Sequence, residues 1–557
     1  MNMKRRIFVS AVLSVLLLAA LAANANAAEV KINASDGAAD DWFGMSVAIS
    51  GDYAVVGAYG NDDAGSNSGS AYIYKRDGTA WTEEAKINAS DDAEGDYFGY
   101  SVAISGDYAV VGAYRNDDAG SNSGSAHIYK RDGTTWTEEA KINASDGAAL
   151  DYFGYSVAIS GDCAVVGAYG NDDAGSNSGS AHIYKRDGTT WTEEAKINAS
   201  DGAALDYFGY SVAISGDCAV VGAYGNDDAG SNSGSAHIYK RDGTTWTEEA
   251  KINASDGAAE DYFGYSVAIS GDCAVVGAYG NDDAGSNSGS AHIYKRDGTT
   301  WTEEAKINAS DGAALDYFGY SVAISGDCAV VGAYGNDDAG SYSGSAYIYK
   351  RDGTTWTQQD KINASDGTEY DYFGRSVAIS GDCAVVGAYG NDDAGSNSGS
   401  AYIYTIGIFS CDADGNPMDQ FAPGETVYVT GTNLAASTSY KLWIQDEAVS
   451  EGKILATGED PSPDGQESVA TYANGTLPVT AIWTIDPDAA ITHTEYDIVA
   501  DNQAAGVVGT YNATSDLLDS TSVAGFVAPV PELPTVVLTL AGLLVLVGYF
   551  RYNRRKD

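Results

Sequence analysis

Asp151 to Leu205 reads DYFGYSVAISGDCAVVGAYGNDDAGSNSGSAHIYKRDGTTWTEEAKINASDGAAL, and this text runs, whole or in part, seven times head to tail. The dipeptide Phe-Gly marks a period of 55 residues, with phenylalanine at Phe43, Phe98, Phe153, Phe208, Phe263, Phe318 and Phe373. Four runs in the unit, FGYSVAIS, CAVVGAYG, SAHIYKR and TWTEEAKI, are of strand length and rich in Val, Ile, Tyr and Thr. Turn formers bound each of them. No stretch of the unit carries a helical period, so each repeat reads as a four-stranded antiparallel meander. One such sheet cannot bury both of its faces. Packing the sheets radially about an axis does, and leaves only short edges, which predicts a β-propeller.

The ends of the array predict a closed ring. The fourth-strand ending Lys-Ile-Asn stands before the first Phe-Gly, at Lys31, and again at Lys86, Lys141, Lys196, Lys251, Lys306 and Lys361. The seventh unit stops after its third strand, where Ala401 to Tyr404 run into TIGIFS. If Glu29 to Asn33 supply the missing strand, seven blades are locked by joining the two ends of the array.

With FGxSVAISGD, AVVGA and SGSAYIY repeated in register from Ala28 to about Tyr404, the chain resembles the FG-GAP repeat family, whose propellers are best known from integrin α subunits. The resemblance implies an extracellular propeller used in adhesion or ligand binding.

Both termini carry sorting features. In residues 1–27, Lys4, Arg5 and Arg6 precede an apolar run from Ile7 to Ala23 and an A-x-A cleavage site at Ala25 to Ala27, the pattern of a secretory signal peptide. At the other end, Pro531 to Thr535 in a linker at 528–534 lead into uncharged residues 535–550 and a basic tail at 551–557. Those sixteen residues make a short transmembrane helix of about 24 Å, with Arg551, Arg554, Arg555 and Lys556 on the cytoplasmic side. The tail is similar to the archaeal PEF-CTERM sorting signal, although Leu533 stands where that signal has Phe. The resemblance implies processing by an archaeosortase; a plain membrane anchor is the alternative.

The balance of 30 basic against 78 acidic residues, net charge −48, repels nucleic acid and favours solubility, cation binding and tolerance of salt. Cys163, Cys218, Cys273, Cys328 and Cys383 repeat at one position of the unit, where Tyr53 and Tyr108 stand in the first two, and Cys411 lies outside the array. Equivalent points on neighbouring blades are too far apart to bridge, so these read as free, packed thiols. His127, His182, His237 and His292 alternate with Tyr72, Tyr347 and Tyr402, which suits a half-buried strand position rather than a ring of metal ligands.

Two repeated features are candidate sites. The loop GNDDAGSNSG places Asn61, Asp62 and Asp63, then Asp117 and Asp118, Asp172 and Asp173, Asp227 and Asp228, Asp282 and Asp283, Asp337 and Asp338, and Asp392 and Asp393 between strands two and three. Clustered oxygens suit Ca²⁺. Integrin-type repeats carry a DxDxDG calcium loop, whereas here the aspartates are adjacent, and the same residues also build turns. The sequon Asn-Ala-Ser recurs at Asn33, Asn88, Asn143, Asn198, Asn253, Asn308 and Asn363, and Asn474 and Asn512 head two more. These are N-glycan acceptors on an exported chain or Asx turns leading into the next blade.

Residues 405–527 read as short strands, ETVYVTGT, YKLWIQ, VTAIWTI and EYDIVAD, between Gly, Pro, Asn and Asp turns, which predicts an Ig-like β-sandwich serving as a stalk. The expected chain is thus all-β, a seven-bladed propeller at 28–404 and a sandwich, followed by one transmembrane helix. No GxSxG, HExxH or phosphate loop occurs, and His493 is the one histidine beyond the repeats, so no enzyme is expected. Sevenfold near-identity suits multivalent contact with an envelope polysaccharide or surface protein. A glycosylated structural envelope or matrix protein is the alternative, and a carbohydrate-acting enzyme using a carboxylate pair the third.

Overall fold

The computed structural model describes residues 29–405, apart from 78, 79 and 382, together with strands between 407 and 527. The expected signal peptide at 1–27, the linker and transmembrane helix expected at 528–550, the basic residues 551–557, Asn474, Asn512, His493 and the side chain of Cys411 lie outside the described residues. Among the described residues there is no helix, and hence none long and apolar enough to cross a membrane.

Residues 29–405 form seven four-stranded antiparallel sheets. In the third blade the strands are Val157–Ser160, Cys163–Ala168, Ser180–Asp187 and Thr190–Ile197, paired in chain order. The first hairpin turns over Gly161-Asp162, with Gly161 at φ 56°, as a two-residue loop with glycine at its first central position requires. A bulge at Ile183/Tyr184 bends the outer pair and recurs in the other blades that have both outer strands in sequence. The inner strand is shorter than FGYSVAIS in six blades, because Phe-Gly has another task; only in the second blade does it run from Phe98 to Ser105.

That task is the seam between blades. Phe153 is fully buried, and it forms a parallel bridge to Gly124 of the preceding blade. Gly154 has φ 90°, and a Cβ there would overlap the Ser125 carbonyl oxygen, so glycine alone lets the two backbones meet. Each seam holds its own apolar cluster. Between the second and third blades Val110, Ile128 and Ile142 pack on Phe153, Val157, Val166 and Trp191. Seven such clusters run round the molecule, the last joining Val385 and Ile403 to Phe43 and Val56.

Ring closure follows the prediction. Glu29–Ile32 pairs antiparallel with Ser400–Thr405, Glu29 opposite Tyr404 and Ile32 opposite Ala401, completing the seventh blade. Tyr404 donates to Glu29 (2.9 Å), Ser365 donates to the same carboxylate (2.6 Å), and Lys31 bonds Asp366 (2.6 Å).

A second unit begins at Gly407. Gly407–Cys411, Thr426–Thr432 and Leu477–Thr484 form one antiparallel sheet; Glu467–Ala470, Ser439–Gln445, Glu495–Asn502 and Leu517–Asp519 form another, with Phe526–Val527 paired to Glu495–Asn502. Four of these strands match the sequence reading, and the other four are short runs that it passed over. Val427, Val429, Tyr440, Leu442 and Leu477 are its described buried apolar residues.

Candidate functional site

Two sets of connections share one face of the propeller. The link from one blade to the next hydrogen-bonds the loop between strands two and three of the blade behind it: the amides of Leu150, Tyr152 and Phe153 donate to the carbonyls of Ser121, Asn122 and Ser123 (2.9, 3.1 and 3.0 Å). This packing holds Leu150, Tyr152 and Asn122 at φ 69°, 55° and 54°, left-handed values that side chains rarely adopt, and most blades repeat the set. Backbone strain is therefore concentrated on this loop face.

Tyrosine lines it. Tyr152 stacks on Tyr169 with centroids 5.1 Å apart, and the equivalent pairs from Tyr207–Tyr224 to Tyr372–Tyr389 do the same. Outside the stacks Leu150, Leu205, Leu315 and Tyr370 stand 43–51% exposed. Toward the axis Tyr100, Tyr155, Tyr210, Tyr265 and Tyr320 ring a cavity of about 250 Å³, completed by Met45 and Arg375. Burial pushes the phenols of Tyr155, Tyr210 and Tyr265 well above their usual range, so the belt is neutral.

The Asp-rich loops close on lysine. Asp62 accepts the Asn67 amide (2.7 Å), and Asn61, which is buried, accepts from the Asp63 amide (3.3 Å) and Ser70 (2.9 Å). Lys86 bridges Asp63 and Asp36, the latter at 2.7 Å. The pattern repeats, with Lys251 2.5 Å from both Asp201 and Asp228, and Lys361 2.7 Å from Asp311 and 2.5 Å from Asp338. Hydrogen bonds from their lysines hold the carboxyls of Asp118, Asp173, Asp228 and Asp283 below the usual range. Among the described residues no group of three or more His, Cys, Asp or Glu is placed to hold a metal ion. The aspartates Asp117, Asp172, Asp227, Asp282, Asp337 and Asp392 each accept a backbone amide on Oδ1, as Asp62 does.

The sequons staple blades. Tyr184 donates to the Asn143 carbonyl (2.6 Å), and Ser145 of the same sequon donates to Glu193 (3.1 Å), both contacts reaching across a seam. The side-chain amides of Asn33, Asn143, Asn198, Asn253, Asn308 and Asn363 donate to Asp393, Asp118, Asp173, Asp228, Asp283 and Asp338 (2.9–3.4 Å), and Asn88 donates to Ser70 and Asp92. His127, His182, His237 and His292 are fully buried, edge-on to a seam phenylalanine and beside a glutamate, so they are packing residues. Cys163, Cys218, Cys273 and Cys328 are free thiols, and Cys383 is buried with Arg76 3.6 Å from its sulfur.

Three residues of the face went unremarked in the sequence reading, and each is a break in the repeat. Met45 and Arg375 stand where five units have FGYS, and Arg115 stands where the others have AYGN. Arg115 lies 4.5 Å over Tyr97, and the Tyr97–Tyr114 pair tilts to 42° instead of stacking flat.

A closed ring of seven four-stranded blades around an aromatic-lined axis defines a β-propeller with its loops gathered on one face. The FG-GAP repeat pattern matches residues 27–74, 81–129, 136–184, 191–239, 246–294, 301–349 and 356–404, and the chain belongs to the FG-GAP repeat family. Among solved structures, Sqt1 of Chaetomium thermophilum bound to the N-terminus of ribosomal protein L10 is 13% identical, covers 64% of this chain and 86% of its own, and has a TM-score of 0.38. Sqt1 of Saccharomyces cerevisiae is 9% identical over 82% of this chain and 100% of its own, at a TM-score of 0.36. No curated protein matches the chain.

Proposed function

We propose that this protein is displayed on the outer surface of an archaeal cell and that its loop face mediates adhesion, binding an envelope polysaccharide or a surface protein. The observation that supports this reading is the loop face itself: repeated half-exposed tyrosine stacks, rimmed by four exposed apolar side chains on a chain whose remaining surface is strongly acidic. Flat aromatic faces suit sugar rings and apolar protein patches, and repetition round a ring turns weak single contacts into avidity. In this reading residues 1–27 direct export, residues 405–527 form an Ig-like stalk, and residues 528–557 anchor the chain or pass it to an archaeosortase. No catalytic step enters it, and glycans on the sequons are an additional layer that intact-mass analysis reads.

Calcium is not needed for adhesion in this scheme, since the metal would have to displace Lys86 and its counterparts. Capture of envelope components and a glycan array by the purified protein, with Ca²⁺ and with chelator, tests the proposal. Specific capture in both conditions is expected. Capture that vanishes with chelator would return the Asp loops to the centre of the mechanism, and no capture in either condition would leave a structural envelope role.

A further inference from the structure

The axis carries a site that occurs once. Along its mouth Tyr100 donates to Tyr155 (2.9 Å), Tyr155 to Tyr210 (2.7 Å) and Tyr210 to Tyr265 (2.9 Å), and the hydroxyls of Tyr265 and Tyr320 hydrogen-bond at 2.5 Å. This arc of neutral hydroxyls ends at Arg375, whose guanidinium carbon lies 4.1 Å over the Tyr320 ring and 5.9 Å from that of Tyr334. Among the described residues no ion pair involves Arg375, and the groups that bear on its charge are the phenols of Tyr320, Tyr265, Tyr100 and Tyr210. Stacking occupies the face of the guanidinium plane. One side-chain hydrogen bond joins the guanidinium to the Tyr389 phenol; a guanidinium carries five N–H donors, which leaves enough at its edge to receive a carboxylate through two parallel bonds.

At the two seams beside Arg375 the serine hydroxyls also change partner. Elsewhere a serine accepts the amide of the neighbouring inner strand, as Ser101 does from Val157 (3.0 Å). Ser321 and Ser376 instead donate to the carbonyls of Gly374 and Gly44 (2.8 Å each). The ring is thus locally distinct where this axial cation stands.

The geometry points to an axial binding site for a single hexuronate unit, its carboxylate on Arg375 and its ring against the tyrosine belt. A cavity of about 250 Å³ takes one sugar ring rather than a chain segment. The net charge of −48 opposes an anion at long range, but at physiological salt that field is screened within ~8 Å. The belt around the axis is neutral, and the loop aspartates Asp63, Asp228 and Asp338 are paired with lysines. Arg115 adds a second positive charge felt at Tyr100 on the same face. The local cation therefore prevails over the distant field.

Calorimetric titration of the purified protein with sodium glucuronate, glucose and sodium acetate tests this. The expected result is one glucuronate per chain, with glucose and acetate each about tenfold weaker or more, because one lacks the charge and the other the ring. Arg375→Tyr puts in the seventh blade the residue that five others carry, and it should melt as the parent does while losing glucuronate affinity at least about tenfold. As a readout that needs no variant, glucuronate should shield Arg375 from phenylglyoxal, scored by peptide mass, while Arg115 stays reactive. Seven glucuronates per chain, acetate binding as tightly as glucuronate, equal binding by parent and Arg375→Tyr, no protection of Arg375, or no binding at high millimolar concentration would each overturn the proposal. Multivalent capture by the loop face is read separately and survives any of these results.

Discussion

Asp360 occupies the position held by Ala85, Ala140, Ala195, Ala250 and Ala305 in other blades, and burial pushes its carboxyl up to about 6. A carboxyl raised on folding costs stability that appears as pH climbs from its unfolded value near 4 through 6. Asp360→Ala should therefore stabilise the protein by about 2 kcal/mol above pH 6 and by little below pH 4, seen as a melting-temperature gain that grows with pH. The seam glutamates have the opposite sign. Burial works against the charge of Glu138, Glu193 and Glu303, yet His127, His182 and His292 with nearby serines hold each carboxyl at about 2, and His237 does the same for Glu248. Their stabilisation is complete above the unfolded value near 4.5 and is lost as pH falls toward 2. Melting followed from pH 6 to pH 2 should drop through that window, and Glu193→Gln should flatten the drop; in the sixth blade Gln358 already accepts the matching Ser310 amide (3.0 Å). Much at this scale was not legible beforehand. That Lys86 neutralises Asp36 and Asp63 depends on residues 50 and 23 positions away, the first brought in from the link to the preceding blade and the second by the loop of its own blade. Arg375, by contrast, was visible as one of two odd letters at its position in seven copies, but the differences weighed in the sequence were those between His127 and Tyr72 and their counterparts.

Strands and seams were the most legible level, because a period of 55 residues with four β-rich runs admits few architectures. The missing fourth strand of the last unit was enough to predict which segment closes the ring. What periodicity could not show is that Phe-Gly leaves the inner strand to bridge backwards to the preceding blade. Conserved spacing alone also hides how seams adapt. Arg186 lies 4.4 Å over the ring of Tyr108, but where cysteine replaces that tyrosine, Arg241 turns to Glu194 in a two-bond pair (2.6 and 2.7 Å). The closing strand is the element with most at stake. Deleting residues 29–32 removes four ladder pairs together with the Glu29 and Lys31 contacts, and it bares the edge at Ser400–Thr405. The loss should reach at least about 4 kcal/mol, and calorimetry should show the main transition broadening or splitting as the end blades melt first.

For the whole molecule, repulsion and pairing compete. Exposed lysine–aspartate bridges contribute no more than about 1 kcal/mol each and weaken with salt, whereas a net charge of −48 repels itself across the entire surface. Repulsion outweighs pairing, so raising NaCl from about 0.05 M to about 1 M should raise the melting temperature; a fall would mean that the lysine clusters dominate.

The joined ends of the ring have a consequence for how the molecule comes into being. Glu29 is among the earliest residues of the array to be synthesised and meets Tyr404, 375 positions later, only when the seventh blade exists. Each earlier blade can dock on the one before it as it emerges, but the final seam waits for the first segment to return from the far side of a nearly finished circle. That long wait makes closure a slow, entropically costly last step. Until it occurs, the growing chain is a curved, open ribbon with one sticky edge at either end, and under the export proposed above a lock that cannot engage early would keep the chain open until it has crossed the membrane.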